Sequence, residues 1–323
     1  MIQIKIDENN SKKRLDIFLV EHFENKYPRA KLTSAIEKEY FLINKKAQKA
    51  SYKLKLNDIV SFNEIELDNF LNPDLTLKPW NFKLNILYED DDLIVLNKPK
   101  EMLCHPTKFE RDYTLSNALL FHAKGNLSNL AGEDRLGIVH RLDKNTSGLM
   151  LAAKNNEAHE NLSKQIKEKT ATRKYLAIAL VEFSEKEGTI NKPLLHSLKD
   201  DVKMIVSSEG LEAITHYKVL EEYKGASLVE LNLKTGRTHQ IRAHLSSIGH
   251  PVFGDSLYGA KSFMRNEFYN LKTIEQLLQS YYLSFSHPKT GERLEFQLEE
   301  KDFSKDFIKV LNFLRSRKNN GFI

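Results

Sequence analysis

Residues 135–155 constrain this chain more than any other stretch. Two short apolar runs, 136–139 and 149–153, flank a polar centre that holds His140, Arg141, Asp143, Asn145, Thr146, Ser147 and Gly148. Each run has the length of a buried strand and is bounded by turn formers. Short side chains at 143 and 145–147 can bond back to the local backbone, and Gly148 takes a positive φ without steric cost. The spacing therefore predicts a carboxylate, with His140 and Arg141 just before it, on a stiff loop between two core strands.

Taken singly, these residues support plainer roles. A loop aspartate is most often a turn or capping residue, Thr146 and Ser147 suit structural hydrogen bonds, and His140 suits packing. Spacing alone leaves Asp143 a weak candidate. The string as a whole says more. His140-Arg141-Leu142-Asp143-x-x-Thr146-Ser147-Gly148-Leu149 resembles the signature of the RluA-type pseudouridine synthases, in which the aspartate is catalytic.

At 323 residues the chain is long enough for two domains. With 41% hydrophobic and 29% charged residues it has the make-up of a globular protein. No apolar run reaches the length of a membrane span, and residues 1–7 lack a signal-peptide core, so neither membrane insertion nor secretion is expected. The one cysteine, Cys104, excludes an internal disulfide framework and fits a reducing compartment, which makes the cytoplasm the expected location. A net charge of +5 is compatible with a polyanionic partner without establishing one. Basic clusters at 12–14, 45–46, 164–174 and 315–318 are each equally consistent with a solvated face.

Taken in order, residues 11–23 predict an amphipathic helix capped by Ser11, with Leu15, Phe18, Leu19, His22 and Phe23 on one face. A second helix is predicted from Pro28, at its first position, and short strands at 41–43, 53–56 and 59–60. This order, with basic residues at the helix starts, resembles the S-four-like RNA-binding domain. That domain usually carries glycine after the second helix, an Asn-Gly turn and a Gly-Asp pair. Here those places hold Glu39-Tyr40, Lys45-Lys46 and Asn57-Asp58. Residues 66–81, with Asp68, Asn69, Pro73 and Pro79 and few periodic apolar positions, read as a linker.

The larger part opens with strands at 84–89 and 93–98, the second ending near Pro99, which cannot donate to a ladder. Cys104-His105 lacks the further ligands of a tetrahedral metal site, and no metal is expected. A helix is predicted at 115–121 and an exposed loop at 124–134. Asn155 caps a further helix with Ala158, Leu162 and Ile166 inward, and a core strand follows at 173–181 with Tyr175 at its head. Strands at 213–219 and 227–233 lead into a turn and helix over 235–245, in which Ile241, Leu245 and Ile248 form the buried stripe and Arg242 is angled toward a cleft. His239 and His244 are five apart, not the i,i+4 pair of a zinc protease. A hairpin is predicted at 283–296 and an amphipathic helix at 303–314.

The patterns at 84–106 and 235–259 resemble further motifs of the same family. The resemblance implies an α+β fold, a mixed and largely antiparallel central sheet with flanking helices, joined to a small α/β RNA-binding domain. The domains it implies are 1–65, a linker at 66–81, a catalytic domain at 82–300 and a tail at 301–323. The implied activity is isomerisation of RNA uridine to pseudouridine, most often in large-subunit ribosomal RNA. A tRNA target, or a non-catalytic RNA-binding ribosome-assembly factor, are the alternatives. A nucleoside hydrolase would require the acidic cluster at 90–92 to bind metal.

The chemistry cleaves the C1′–N1 bond, turns the base and rejoins it through C5. Asp143 would either attack C1′ or remove a ribose proton, and both need a carboxylate kept charged, with Arg242 as its forked partner. Tyr175 would stack on the base. Arg141 would fill the gap left by the extruded nucleotide, with His140 and Arg237 as further RNA contacts. Lys12, Lys13, Arg14, Arg29 and Lys31 would touch phosphates. The reaction involves no redox or phosphoryl step, so no cofactor is expected, and a monomer is the expected state.

Overall fold

The computed structural model describes residues 1–319 except 73–74, 201, 266–267, 269, 272 and 274. The chain forms two units, Met1–Thr76 and Leu77–Ile323.

The first unit runs β1 (Ile2–Lys5), α1 (Leu15–His22), α2 (Arg29–Glu37), β2 (Leu42–Ile43), β3 (Lys46–Ala47), β4 (Ile59–Phe62) and α3 (Glu64–Leu71). Its sheet has the order β1-β4-β2-β3, antiparallel throughout. Leu15, Phe18 and Leu19 of α1 and Leu32, Ala35 and Ile36 of α2 supply much of its core. Several boundaries differ from expectation. Ser11 does not cap α1, because its backbone closes a turn onto Asp7; Arg14 stands at the cap position without a side-chain capping bond. Pro28 caps α2 from one position before the first helical residue. Residues 53–56 make only an isolated bridge, Lys53 to Arg14.

The expected linker is corrected at its start. Asn63 accepts the N–H groups of Ile65 and Glu66, and Leu67 and Leu71, four apart, sink into the first unit's core as part of α3. Pro73 lies outside the described residues. Glu39, Asn44, Lys45 and Asn57 all have φ between 50° and 68°, the left-handed region, so backbone turns of the kind glycine favours are made here without glycine.

The second unit runs β5 (Ile86–Glu89), β6 (Leu93–Lys98), α4 (Leu115–His122), β7 (Ser147–Ala153), α5 (Asn156–Glu168), β8 (Thr172–Leu180), β9 (Glu187–Asn191), β10 (Leu194–His196) and β11 (Met204–Val206). It continues with β12 (Ile214–Tyr223), β13 (Ala226–Leu233), α6 (Gln240–Ser247), β14 (Leu278–Ser286), β15 (Arg293–Gln297) and α7 (Lys305–Asn319). The main sheet has the order β5-β6-β7-β14-β8-β13-β12-β9, with β15 also on β14. Every pairing in it is antiparallel except β7 with β14. This is the mixed, largely antiparallel sheet that the family resemblance implied.

Both faces of the sheet are covered. Along β6, β7 and β8 alternate residues go to two cores. Leu93, Val95, Leu149, Leu151, Leu176 and Ile178 pack with α5 and α7. Ile94, Leu96, Met150, Ala152, Tyr175 and Ala177 pack on the other side with α4 and α6. Burial on both faces explains why these strands read as continuous apolar runs rather than alternating ones. The cleft described below lies on the α4–α6 side.

One of the two strands predicted around the central loop does not form. Residues 136–139 make turns and a single bridge, Ile138 to Ala152, because Gly137 takes φ 72° where a strand needs an extended residue. The other run is β7. Its Gly148 serves packing more than the turn: at φ 124°, a Cβ there would stand 2.1 Å from the Ser280 carbonyl oxygen, so only glycine allows β14 to pair alongside. Among the described residues no helix is long and apolar enough to cross a membrane.

Candidate active site

The loop carrying Asp143 is fixed from below. Cys104 is buried, and its sulfur lies 3.2 Å from the Leu142 carbonyl and 3.3 Å from the Leu142 N–H. Lys98 is wholly buried, and its ammonium donates to the carbonyls of Pro99, Met102 and Lys144 at 2.8, 2.9 and 3.2 Å. Burial pushes its pKa down to about 8, while Cys104 and Asp143 pull the other way. Thr146 donates its N–H to the Asp143 carbonyl, and its hydroxyl accepts from Gln276. A backbone held at this many points presents its carboxylate with little freedom.

Arg242 comes from α6. The loop before that helix is stapled by Gln240, which accepts from the Thr235 hydroxyl at 2.7 Å and the Arg237 N–H at 3.0 Å. The same side chain donates to the Ile214 carbonyl and the Thr215 hydroxyl of β12. Arg242, 6% exposed, forks onto Asp255 through Nε at 2.7 Å and Nη2 at 3.0 Å. Its remaining nitrogen, Nη1, donates to Asp143 Oδ2 at 3.1 Å. Burial opposes the guanidinium charge, but Asp255 and then Asp143 outweigh it, and its pKa is raised. Tyr258 lies under the guanidinium at 5.1 Å.

The cleft over this pair is lined by Arg141, Leu142, Tyr175, Arg237, Ile241 and Leu278, among others. Tyr175 is 4% exposed, and burial raises its pKa, so the phenol stays protonated. His239 Nε2 is 3.9 Å from Asp143 Oδ2, and its Nδ1 is 3.2 Å from the Tyr258 hydroxyl. The side chain of Asp143 is itself 17% exposed, open to a ligand yet beside a fixed cation. A carboxylate so placed can meet a developing positive charge on a sugar, as in retaining glycoside hydrolysis.

Residues 92–247 match the model of a family described as RNA pseudouridylate synthase. An uncharacterized RNA pseudouridine synthase of Bacillus subtilis is 39% identical over 317 residues, covering 97% of this chain and 98% of that protein. The chain belongs to the RNA pseudouridylate synthase family. A ribosomal large subunit pseudouridine synthase D of Haemophilus influenzae is 35% identical over 309 residues, 94% of this chain and 91% of its own. Among solved structures, human RNA pseudouridylate synthase domain containing 4 matches with TM-score 0.55 and 25% identity, over 72% of this chain and 93% of its own.

In this pseudouridine synthase the three residues singled out for catalysis, Asp143, Tyr175 and Arg242, converge on one cleft together with Arg141 and Arg237. Arg141 is exposed and has no ion pair or hydrogen bond among the described residues. Arg237 is exposed as well, its Nε donating to the Glu212 carbonyl. His140 is corrected. It is buried, its Nε2 accepts the Leu151 N–H at 3.0 Å, and burial drives its pKa down to about 3. It braces β7 as a neutral ring and offers no charge to RNA.

Of the five basic residues of the first unit expected to touch phosphates, four are occupied. Arg14 and Arg29 both grip the buried Asp16, at 3.0 and 2.7 Å. Lys13 pairs with Glu21, and Lys31 donates to the Leu71 carbonyl. Lys12 alone of the five is exposed without such a partner among the described residues. Asp90 anchors the β5–β6 turn, accepting from Tyr88 and from the N–H groups of Asp92 and Leu93, with His287 at 2.8 Å. Sequence reasoning assigned no role to Asp255, Gln240 or Lys98. The pattern Gly254-Asp255 shortly after the helix was the available signal for the first.

Proposed function

We propose that this enzyme isomerises uridines of large-subunit ribosomal RNA, with Asp143 as the group that opens the reaction at the ribose. The observation that carries the reading is the Asp143–Arg242–Asp255 chain at the floor of a cleft wide enough to expose one carboxylate edge. Two anions share one cation, and because the fork is committed to Asp255, Arg242 holds Asp143 through a single bond. The carboxylate is thereby aimed without being fully consumed. Tyr175, kept protonated by burial, is a poor proton acceptor, and we assign its ring to stacking on the uracil.

A uridine inside folded RNA must leave its stack to reach this floor, at a cost of a few kcal/mol. Arg141, next to Asp143 in the chain, exposed and without a side-chain partner among the described residues, is our candidate to occupy the space it leaves. The first unit is proposed as an RNA-binding module, and the ribosomal target is supported by relatives named for the large subunit.

The test is Asp143→Asn in the full chain. It should abolish pseudouridine formation on ribosomal RNA while RNA binding persists. Normal turnover by that variant would end the assignment. Mapping pseudouridines in total RNA with and without the protein decides the target: sites confined to tRNA would overturn the ribosomal part of the reading.

A further inference from the structure

A second groove opens beside the catalytic cleft and shares Arg141, Arg173, Gly236 and Arg237 with it. Its far side is built from the end of α5 and the start of the β13–α6 loop, which add Lys167, Lys169 and Lys234. Six cations thus line one groove, and among the described residues no carboxylate lines it.

The side chains of four of the six, Arg141, Lys167, Arg173 and Lys234, have neither an ion pair nor a hydrogen bond among the described residues. The other two donate only to neutral acceptors, Lys169 to the Lys234 carbonyl and Arg237 to that of Glu212. Several cations elsewhere in this unit are matched by acids, Arg315 by Glu221 and Glu300 and Lys154 by Glu89. Converging like charges repel, and one acidic substitution would relieve them. Lys169 also sits at φ 66°, where glycine or asparagine usually ends a helix. Complementing the carbonyl end of α5 accounts for Lys167 and Lys169. It does not account for Arg141, Arg173, Lys234 or Arg237, which lie on other elements.

We infer that this groove is a second RNA subsite, holding the phosphodiester backbone of the nucleotides that adjoin the uridine seated at Asp143. The inference rests on the proposed function for the occupant of the cleft. A strand leaving that cleft is locally unpaired, because its neighbour has been turned out of the stack. Arg173, half-buried in the shared wall, stands where the strand would pass from one groove to the other. Lysines and arginines without acid partners suit successive phosphates, which carry charge but no sequence information.

The test uses the full chain with Lys167→Gln and Lys234→Gln together, both exposed positions outside the catalytic cleft. The probes are a twelve-nucleotide oligouridylate and a uridine trinucleotide, titrated across a salt series. For the longer probe the variant should bind roughly tenfold more weakly at low salt, and the slope of log affinity against log salt should shrink by about 1.4, some 0.7 for each lost contact to a single strand. The trinucleotide, too short to extend far beyond the cleft, should bind both proteins alike. Lys224→Gln with Lys289→Gln, exposed lysines outside the groove, should leave the slope as it is.

An unchanged slope and affinity for the longer probe would overturn the inference. So would equal losses on both probes, which would place the effect in the cleft itself, or a matching loss in the control variant, which would reduce it to net charge. Failure of the wild-type protein to form pseudouridine would instead sink the functional reading, and the length-dependent salt slope would remain measurable.

Discussion

Asp255 is fully buried and shares its carboxylate between the Arg242 fork and the Tyr258 N–H, so the charge of Arg242 is as much a structural requirement as a chemical one. Removing it strands a buried anion, which costs about 3–5 kcal/mol. Arg242→Ala should therefore lower stability to urea by that amount as well as reducing turnover sharply. Arg242→Lys, which keeps the charge but not the fork, should recover only part of either. Equal stability of Arg242→Ala and wild type would show that Asp255 is paired otherwise. His140 supplies a pH dependence. Its folded pKa of about 3 lies below its ordinary value near 6.5, so between those limits the unfolded chain binds the proton more tightly. Its contribution is complete above pH 6.5 and is lost as pH falls through the window, with a slope of up to about 1.4 kcal/mol per pH unit. His105, lowered to about 4 chiefly by burial, adds in the same sense. Thermal melts from pH 7 to 4 should show a shallower decline for His140→Asn than for wild type; identical slopes would remove this account.

Between residue and fold, the β7–β14 seam decides where the loop of Asp143 can sit. Gly148 and Ser280 approach so closely that any Cβ at 148 meets the Ser280 backbone, while Ser147 donates to Gln279 and Ser280 to the Leu149 carbonyl. Gly148→Ala should part these strands and cost about 3 kcal/mol or more, with turnover falling further than affinity because the loop that leads into the seam loses its register. A variant of native stability, by calorimetry, would mean the strands separate cheaply. Much at this scale was legible. The periodic positions of α5, with its Asn155 cap, and the β-rich runs of β8, β12 and β13 fall where the sequence places them. What was not legible has physical causes. An apolar run at 136–139 looks like a strand until Gly137 bends it, and α3 hides behind the loop-forming residues Asp68 and Asn69 because only Leu67 and Leu71 are needed to bury it. The short β9, β10 and β11 carry too few residues for a pattern. At the site, the family motif exposes Asp143 and Arg242. The Gly254-Asp255 pair marks the position of Asp255, but its pairing with Arg242 needs the tertiary contact, since a spacing of thirteen residues does not itself join the two.

For the whole molecule, charge is spread in a way the net value conceals. Residues 1–76 hold 13 Lys and Arg against 12 Asp and Glu, and Asp16 and Glu21 already engage Arg14, Arg29 and Lys13. The first unit is therefore no general polycation, and whatever hold it has on RNA must come from a few unpaired groups or from shape. Lys12, Lys45 and Lys46 are exposed and have no ion pair among the described residues. Lys45 lies in the β2–β3 turn and Lys46 opens β3, next to Asn44, which at φ 50° is held by Asp58 and by the Ile59 N–H. Removing residues 1–76 should weaken binding to ribosomal RNA while sparing turnover on a short uridine-containing fragment that only the catalytic unit engages. Lys12→Gln, Lys45→Gln and Lys46→Gln combined should reproduce most of that loss and lower the salt dependence by up to about 3 in slope, roughly one per phosphate contact removed. If the deletion weakens binding and the triple substitution does not, the unit recognises RNA by contour rather than by charge. If neither changes affinity, the RNA-binding reading of the first unit is wrong, and the catalytic unit with its basic groove carries recognition by itself.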